Sequence, residues 1–111
     1  MNRLSKLEWC CIQKEGIQLI EPNERLAKDY INNADSDILD MKKVSKKWKN
    51  IVAYYACYNA FYSILQKTGI KCEIHSCTIE LTKLFALSKN QQEFFKDLKS
   101  CRINVQYYLR T

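Results

Sequence analysis

The segment between Ser45 and Gly69 most constrains how this chain can fold. It contains no proline and no internal glycine, and apolar side chains from residue 51 to residue 65 cover nearly every side of the helix that it predicts. A helix that is apolar all round is buried inside a protein. Asn59 and Ser63 interrupt the apolar run, which is also too short for a membrane span. We therefore expect the central helix of a globular domain, ending at Gly69.

The composition favours helices throughout the chain. With 111 residues the chain is long enough for one domain with its own core. It has only two glycines and one proline, whereas sheets and turn-rich folds need more of both. Charged residues make up 27% and hydrophobic residues 47%, which argues against disorder. These numbers predict an all-α fold.

Three further helical segments and a short arm complete the predicted fold. Asn23 marks a helix start, and Ser88 and Gln91 have the spacing of a capping box. Short connections favour antiparallel neighbours, so we predict an antiparallel up-and-down four-helix bundle over residues 21–111, after an N-terminal arm or short helix over residues 1–20. The predicted apolar stripes are Leu26, Tyr30, Ala34, Ile38 and Met41; then Ile74, Cys77, Leu81 and Leu84; then Phe94, Leu98, Cys101, Val105 and Tyr108.

The predicted central helix has two different faces. Four tyrosines fall within one short stretch of it, and each buried phenol needs a hydrogen-bond partner. Tyrosine and arginine are favoured at interfaces, so we expect a homodimer built on the tyrosine-bearing face of this helix and on the edge of the last predicted helix near Arg102. The small face should let another helix approach closely. The bulky face carries Ile51, Tyr55, Tyr58, Tyr62 and Leu65, and the small face carries Val52, Ala56, Ala60 and Ser63.

The cysteines are interpreted as free thiols. Residues 1–6 lead into no uninterrupted apolar segment, so no secretion signal is expected and a reducing cytoplasm is the predicted location. Cys57 and Cys101 fall on apolar helix faces, where free thiols pack as small hydrophobic groups. The six cysteines are Cys10, Cys11, Cys57, Cys72, Cys77 and Cys101.

The net charge of +6 comes largely from lysines within residues 42–49. Lysines can contact phosphates, so this stretch is one hypothesis for a nucleic-acid surface. A solvated junction between two helices explains it equally simply, and we favour that interpretation. Charge distribution in a sequence says little about a specific partner.

Two other side chains are candidates for a site. Arg102 sits between apolar neighbours, where a guanidinium either holds a phosphate or extends from a helix edge toward solvent or a carboxylate. His75 is the only histidine, and it lies between Cys72 and Cys77. No second group of ligands completes a metal site, so we expect a structural hydrogen bond from His75, no metal and no cofactor. No glycine-rich phosphate loop or paired acidic motif is present in the sequence.

Several of these segments together resemble a known family. Residues 53–62 read Ala-Tyr-Tyr-Ala-Cys-Tyr-Asn-Ala-Phe-Tyr, and Gly69, His75, Arg102 and Tyr107 follow in order. With the helix entry at residues 21–30, this order and spacing resembles the HEPN domain in its small stand-alone, nucleotidyltransferase-associated form, over roughly residues 20–110. The resemblance implies an up-and-down helical bundle, commonly dimeric, often encoded beside a small nucleotidyltransferase as a toxin–antitoxin pair.

The resemblance also implies site residues. HEPN ribonucleases share an arginine, a polar residue directly after it and a histidine about four to six residues on, and two copies cleave RNA without metal. Arg102 matches the arginine, whereas Ile103 and Tyr107 stand in place of the polar residue and the histidine. A phenol with a pKa near 10 is a poor proton shuttle at neutral pH. Tyr107 and Tyr108 also resemble the tyrosines that are nucleotidylated in silenced toxins.

Two hypotheses follow. In the first, the chain is a non-catalytic HEPN-like protein that dimerises, binds nucleotide or RNA through Arg102, Asn104, Tyr107 and Tyr108, and pairs with a nucleotidyltransferase. In the second, it is a metal-independent endoribonuclease toxin that uses Arg102 with Tyr107. The substitutions at Ile103 and Tyr107 favour the first.

Overall fold

The computed structural model describes residues 5–85 and 87–108, without the side chains of residues 104–108. The described chain is mostly helical, and none of its helices is both long and apolar enough to cross a bilayer. One short two-stranded sheet departs from the all-α prediction. The elements are α1 (Lys6–Ile12), β1 (Gln18–Leu19), α2 (Glu24–Asp40), α3 (Lys46–Thr68), β2 (Ile70–Lys71), α4 (His75–Leu81), a 3-10 turn (Thr82–Leu84) and α5 (Lys89–Tyr108).

Helix α3 is the central element, as the sequence predicts. Ser45 is its N-cap and Gly69 its C-cap, and the φ of Gly69 is 98°, which lies in the left-handed region that favours glycine. A Cβ at Gly69 would come within 2.6 Å of the backbone oxygen of Ile20. Gly69 therefore both ends the helix and lets the preceding segment cross closely over its end. Helix α3 supplies seven buried residues: Ile51, Tyr54, Ala56, Phe61, Tyr62, Leu65 and Gln66.

Helix α2 packs along the small face of α3. The backbone N–H of Asn23 donates to the backbone oxygen of Gln66, and further along the Ser63 hydroxyl donates to the backbone oxygen of Ala27 at 2.6 Å. Asn59 then donates to the carboxylate of Asp37, so the two helices run in opposite directions. Ala56, on the same face, is only 7% exposed. The expected close helix approach over small residues is confirmed.

The predicted stripe of α2 is only partly correct. Ala34 is buried and Tyr30 half-buried, but Leu26 and Ile38 are exposed, whereas Ala27 is buried instead. The close approach explains the difference, because small alanines fit at the line of contact and the larger side chains lie to either side of it. Asp37 is half-buried, and its carboxylate accepts a hydrogen bond from Asn59.

The N-terminal arm is tied to the rest of the chain at two places. Helix α1 begins at a capping box in which Ser5 and Glu8 exchange hydrogen bonds. After Gly16, strand β1 pairs antiparallel with β2, with Gln18 opposite Lys71 and Leu19 opposite Ile70. The sequence did not predict this sheet, because two-residue strands carry no alternation pattern.

A disulfide between Cys10 and Cys77 joins α1 to α4. The expectation that all six cysteines are free thiols is therefore wrong for this pair. Both sulfur atoms are fully buried, and the sequence could not place two residues so far apart side by side. Disulfides are typical of oxidising compartments, so this bond does not support a reducing cytoplasm, and the cytoplasmic location stays a prediction. Cys11, Cys57, Cys72 and Cys101 are free.

Helix α5 begins as predicted but is rotated from the predicted face. Ser88 and Gln91 exchange the two hydrogen bonds of a capping box. Phe94, the first residue of the expected stripe, is 58% exposed, whereas its neighbour Phe95 is 4% exposed and packs against Tyr54 and Phe61. Leu98 is buried as expected. Val105 and Tyr108 fall among the side chains outside the described residues.

The third predicted helix is shorter than expected. The predicted stripe from Ile74 to Leu84 requires one continuous helix, but α4 ends at Leu81 and continues only as the 3-10 turn. Cys77 and Leu81 of its stripe are buried, and Leu84 is exposed. The 3-10 turn changes the direction of side chains, which takes Leu84 out of the stripe.

Candidate functional site

The site is built on the row of tyrosines on α3. The hydroxyls of all four bond within the chain: Tyr54 with Nδ1 of His75 at 2.7 Å, Tyr55 with Arg102 at 3.2 Å, Tyr58 with Thr78 at 3.4 Å and Tyr62 with the backbone N–H of Cys72 at 2.9 Å. The hydroxyls of the row are thus satisfied within the fold. The tyrosines therefore no longer support a homodimer through this face, and the dimer itself remains a prediction.

Arg102 lies against this row, half-buried, on α5. One terminal nitrogen of its guanidinium donates to the Tyr55 hydroxyl, and its central carbon lies 5.1 Å from the ring centre of Tyr54 and 5.8 Å from that of Tyr55. A guanidinium can stack on aromatic rings while its N–H groups lie in the plane of the guanidinium itself. Arg102 is therefore held in a fixed orientation by two tyrosines and is not a mobile helix-edge charge.

His75 joins the same group from the start of α4. Its ring stacks on Tyr58 with centres 4.3 Å apart and planes inclined by 18°, and its Nδ1 is bonded to Tyr54. Burial, followed by the nearby charges of Arg102 and Lys99, lowers the pKa of His75 from its usual value of 6.5. The structural hydrogen bond expected of His75 is present. Its imidazole is neutral at pH 7, and it lies within electrostatic reach of Arg102.

Positive charge is concentrated at this site. Burial, together with repulsion first from Arg102 and then from Lys6 and Lys96, lowers the pKa of Lys99. Lys99 is half-buried one turn before Arg102 on α5, and Lys6 begins α1. We call Arg102, Lys99, His75, Tyr54 and Tyr55 the Arg102 cluster. Like charges held together in partial burial are stabilised by an anion, so the cluster is suited to a phosphate.

Burial favours the protonated form of two phenols in the tyrosine row, Tyr54 and Tyr58. Burial raises the pKa of Tyr54 far above its usual value of 10 and raises that of Tyr58 to about 12. Neutral phenols next to Arg102 act as hydrogen-bonding and stacking groups and do not act as bases at neutral pH.

The possible metal ligands around His75 do not assemble. Cys77 is bonded to Cys10, and the thiol of Cys72 points to the backbone oxygen of Ile74. Within residues 5–85 and 87–103, no three His, Cys, Asp or Glu side chains come together to hold a metal ion. The lysines of residues 42–49 are exposed around the start of α3, as a solvated junction requires.

Of the predicted site residues, the structure places Arg102 alone. The side chains of Asn104, Tyr107 and Tyr108 lie outside the described residues, so their predicted contacts with a ligand stay predictions. The sequence interpretation missed that His75 meets Arg102 across Tyr54. One signal was available, because His75 lies at the start of α4 and Tyr54 is on the helix predicted to be central. Nothing in their spacing fixes a contact.

No family model matches the chain, and neither the curated proteins nor the solved structures include a significant match.

Proposed function

We propose that this chain is a HEPN-like protein that binds the phosphate of a nucleotide or RNA at the Arg102 cluster without efficient catalysis. The observation that carries the proposal is the seating of the Arg102 guanidinium across Tyr54 and Tyr55, with Lys99 and His75 beside it. A planar guanidinium held by stacking suits bidentate contact with phosphate oxygens. Partial burial strengthens that contact, because less water competes with it.

The proposal extends to the arrangement and the partners. The opposite directions of α2 and α3 support an up-and-down four-helix bundle, which the resemblance also implies. By the same resemblance, we propose a homodimer and a small nucleotidyltransferase partner in a cytoplasmic toxin–antitoxin-like pair, with Tyr107 and Tyr108 as possible acceptors of a nucleotidyl group. Light scattering of the pure protein and co-purification with an enzyme encoded beside it test these two statements.

Arginine substitutions test the phosphate site. Arg102→Lys keeps the charge but loses the planar fork, so we expect binding of a labelled RNA oligonucleotide and of a nucleoside monophosphate to weaken by about tenfold. Arg25→Lys is the matched control, because Arg25 is exposed on α2. Fluorescence anisotropy and isothermal calorimetry measure the two affinities. Equal weakening by both variants, or none by Arg102→Lys, contradicts the proposal.

One observation favours a second function, a metal-independent endoribonuclease. The neutral imidazole of His75 lies near Arg102, and such a group can accept a proton from a ribose hydroxyl. In this alternative Arg102 stabilises the charge on the phosphate, and either His75 or Tyr107 moves the proton. RNA cleavage by the pure protein in the presence of a chelator, and its loss in His75→Asn or Tyr107→Phe, would support the alternative.

A further inference from the structure

A cleft of about 450 Å³ opens beside the Arg102 cluster, between α2, α3 and the segment that joins β2 to α4. His75 belongs to both, because it lines the cleft and bonds to the Tyr54 hydroxyl beneath Arg102. Three tyrosines and one buried glutamine are among the other lining residues, and we call this space the tyrosine cleft. Its lining includes Tyr30, Tyr58, Tyr62, Gln66 and His75.

Aromatic rings form one wall of the tyrosine cleft. Tyr62, Tyr58 and His75 stack nearly parallel, with ring centres 5.6 Å apart for the first pair and 4.3 Å for the second. Tyr30 leans on Tyr62 at 4.9 Å. Hydrogen bonds to Thr78 and to the backbone of Cys72 fix two of the hydroxyls, so the rings are held in place before any ligand arrives. Because these rings stack on one another, a flat ring would meet their edges or an outer face, and both are favourable aromatic contacts.

Gln66 adds a specific requirement to the cleft. The residue is 2% exposed, and its Nε2 donates to the backbone oxygen of Ile70 at 3.4 Å. Its Oε1 is buried and accepts no hydrogen bond from the residues that the structure describes. A buried amide oxygen without a donor is unfavourable, and native proteins rarely keep one. A ligand with an N–H group at the edge of a flat ring would supply the missing donor after a small rotation of the amide.

We propose that the tyrosine cleft binds a nucleobase, with the base against the aromatic wall and its N–H edge toward Gln66. The inference rests on the proposed function, because the Arg102 cluster beyond His75 then takes the phosphate of the same nucleotide. Purines and pyrimidines both carry ring-edge N–H donors, and this volume accommodates either. An exposed ion pair between Lys71 and Glu73 also lines the cleft.

The experiment separates the base from the phosphate by using three probes on the full chain. Adenosine and cytidine carry the base and the sugar without a phosphate. Ribose 5-phosphate carries the sugar and the phosphate without a base, and the nucleoside monophosphates carry all three. We expect nucleosides to shift the NMR signals of the Tyr58, Tyr62 and His75 rings. We also expect a nucleoside monophosphate to bind at least about fivefold more tightly than ribose 5-phosphate, because stacking contributes at each base.

Gln66→Met tests the role of the amide. Methionine keeps the volume and removes the buried oxygen, so this variant should melt at or above the wild-type temperature while losing nucleoside binding and keeping ribose 5-phosphate binding. Gln92→Met is the matched control, because Gln92 also donates to a backbone oxygen, that of Leu87, but lies outside the cleft. If Gln66→Met unfolds, the half-buried Tyr30→Leu provides the same comparison through the aromatic wall.

The outcomes distinguish the two proposals. Equal affinity for ribose 5-phosphate and the nucleoside monophosphates, with no ring shifts from nucleosides, overturns the nucleobase site and leaves the phosphate site standing. If nucleosides bind equally well to wild type and to Arg102→Lys, and ribose 5-phosphate does not bind, the nucleobase site stands and the phosphate site is overturned. Absence of binding for all three probes overturns both.

Discussion

Removing the Tyr54 hydroxyl should destabilise the protein measurably. Tyr54 is fully buried, and its hydroxyl bonds to Nδ1 of His75 at 2.7 Å. Tyr54→Phe removes one hydrogen bond, which contributes about 0.5–1.5 kcal/mol net. It also leaves the ring nitrogen of His75 without its partner. An unpaired buried group costs about 1–3 kcal/mol, and the lower end applies here because His75 is only half-buried. We therefore expect the free energy of unfolding to fall by about 1–2 kcal/mol.

Urea denaturation followed by circular dichroism measures this change, with the slope against urea unchanged because the core remains the same. Tyr30→Phe is the matched control, because the Tyr30 hydroxyl makes no hydrogen bond to the described residues, and it should change stability by less than about 0.5 kcal/mol. A double-mutant cycle with His75→Leu should give a coupling energy of about 0.5–1.5 kcal/mol. A Tyr54→Phe protein as stable as wild type, or a coupling energy near zero, would refute the assignment of this bond.

Three further results are expected. Gly69→Ala should lower the free energy of unfolding, measured by urea denaturation, by about 1–3 kcal/mol or more. Alanine disfavours a φ of 98°, and its Cβ would collide with the backbone oxygen of Ile20. An alanine variant of wild-type stability would contradict this. Ala56→Leu should cost about 1–3 kcal/mol by overpacking the contact with α2, and an unchanged thermal midpoint would show that this face has spare room. Because His75 has a lowered pKa, the unfolded chain binds its proton first as pH falls, so stability is complete above pH 6.5 and declines below it; the His75→Gln variant should lose this part of the pH dependence, and identical profiles would assign it to other groups.

Local chemistry made the helix ends predictable. Asn23, Ser88 and Gly69 mark helix ends through caps that depend on neighbouring residues only, and each marks an end in the structure. Ser45 stands at the N-cap of α3 without a side-chain capping bond. The burial of α3 was predictable for a similar reason, because no polar face was available for solvent.

Contacts between distant segments were not predictable in the same way. Phe94 and Phe95 are adjacent and equally apolar, and only the packing of α5 against Tyr54 and Phe61 selects Phe95 for the core. The meeting of His75 with Arg102 depends on how α4 and α5 both dock on α3, which no residue pattern encodes. Gln66 illustrates the limit well, since a glutamine on a predicted helix signals nothing until its burial is known.

The Cys10–Cys77 bond also changes how the chain responds to a pulling force. It closes a covalent ring over a sequence separation of 67 residues, and that ring contains all of α2 and α3. If the oxidised chain is stretched by its ends, roughly 230 Å of its contour length stays inside the ring and is not extended, at about 3.5 Å per residue. A degradation machine that threads the chain from one end would meet two strands at once at the ring. Reduction would restore a single strand, so the redox state of one bond sets how easily the protein can be unravelled mechanically.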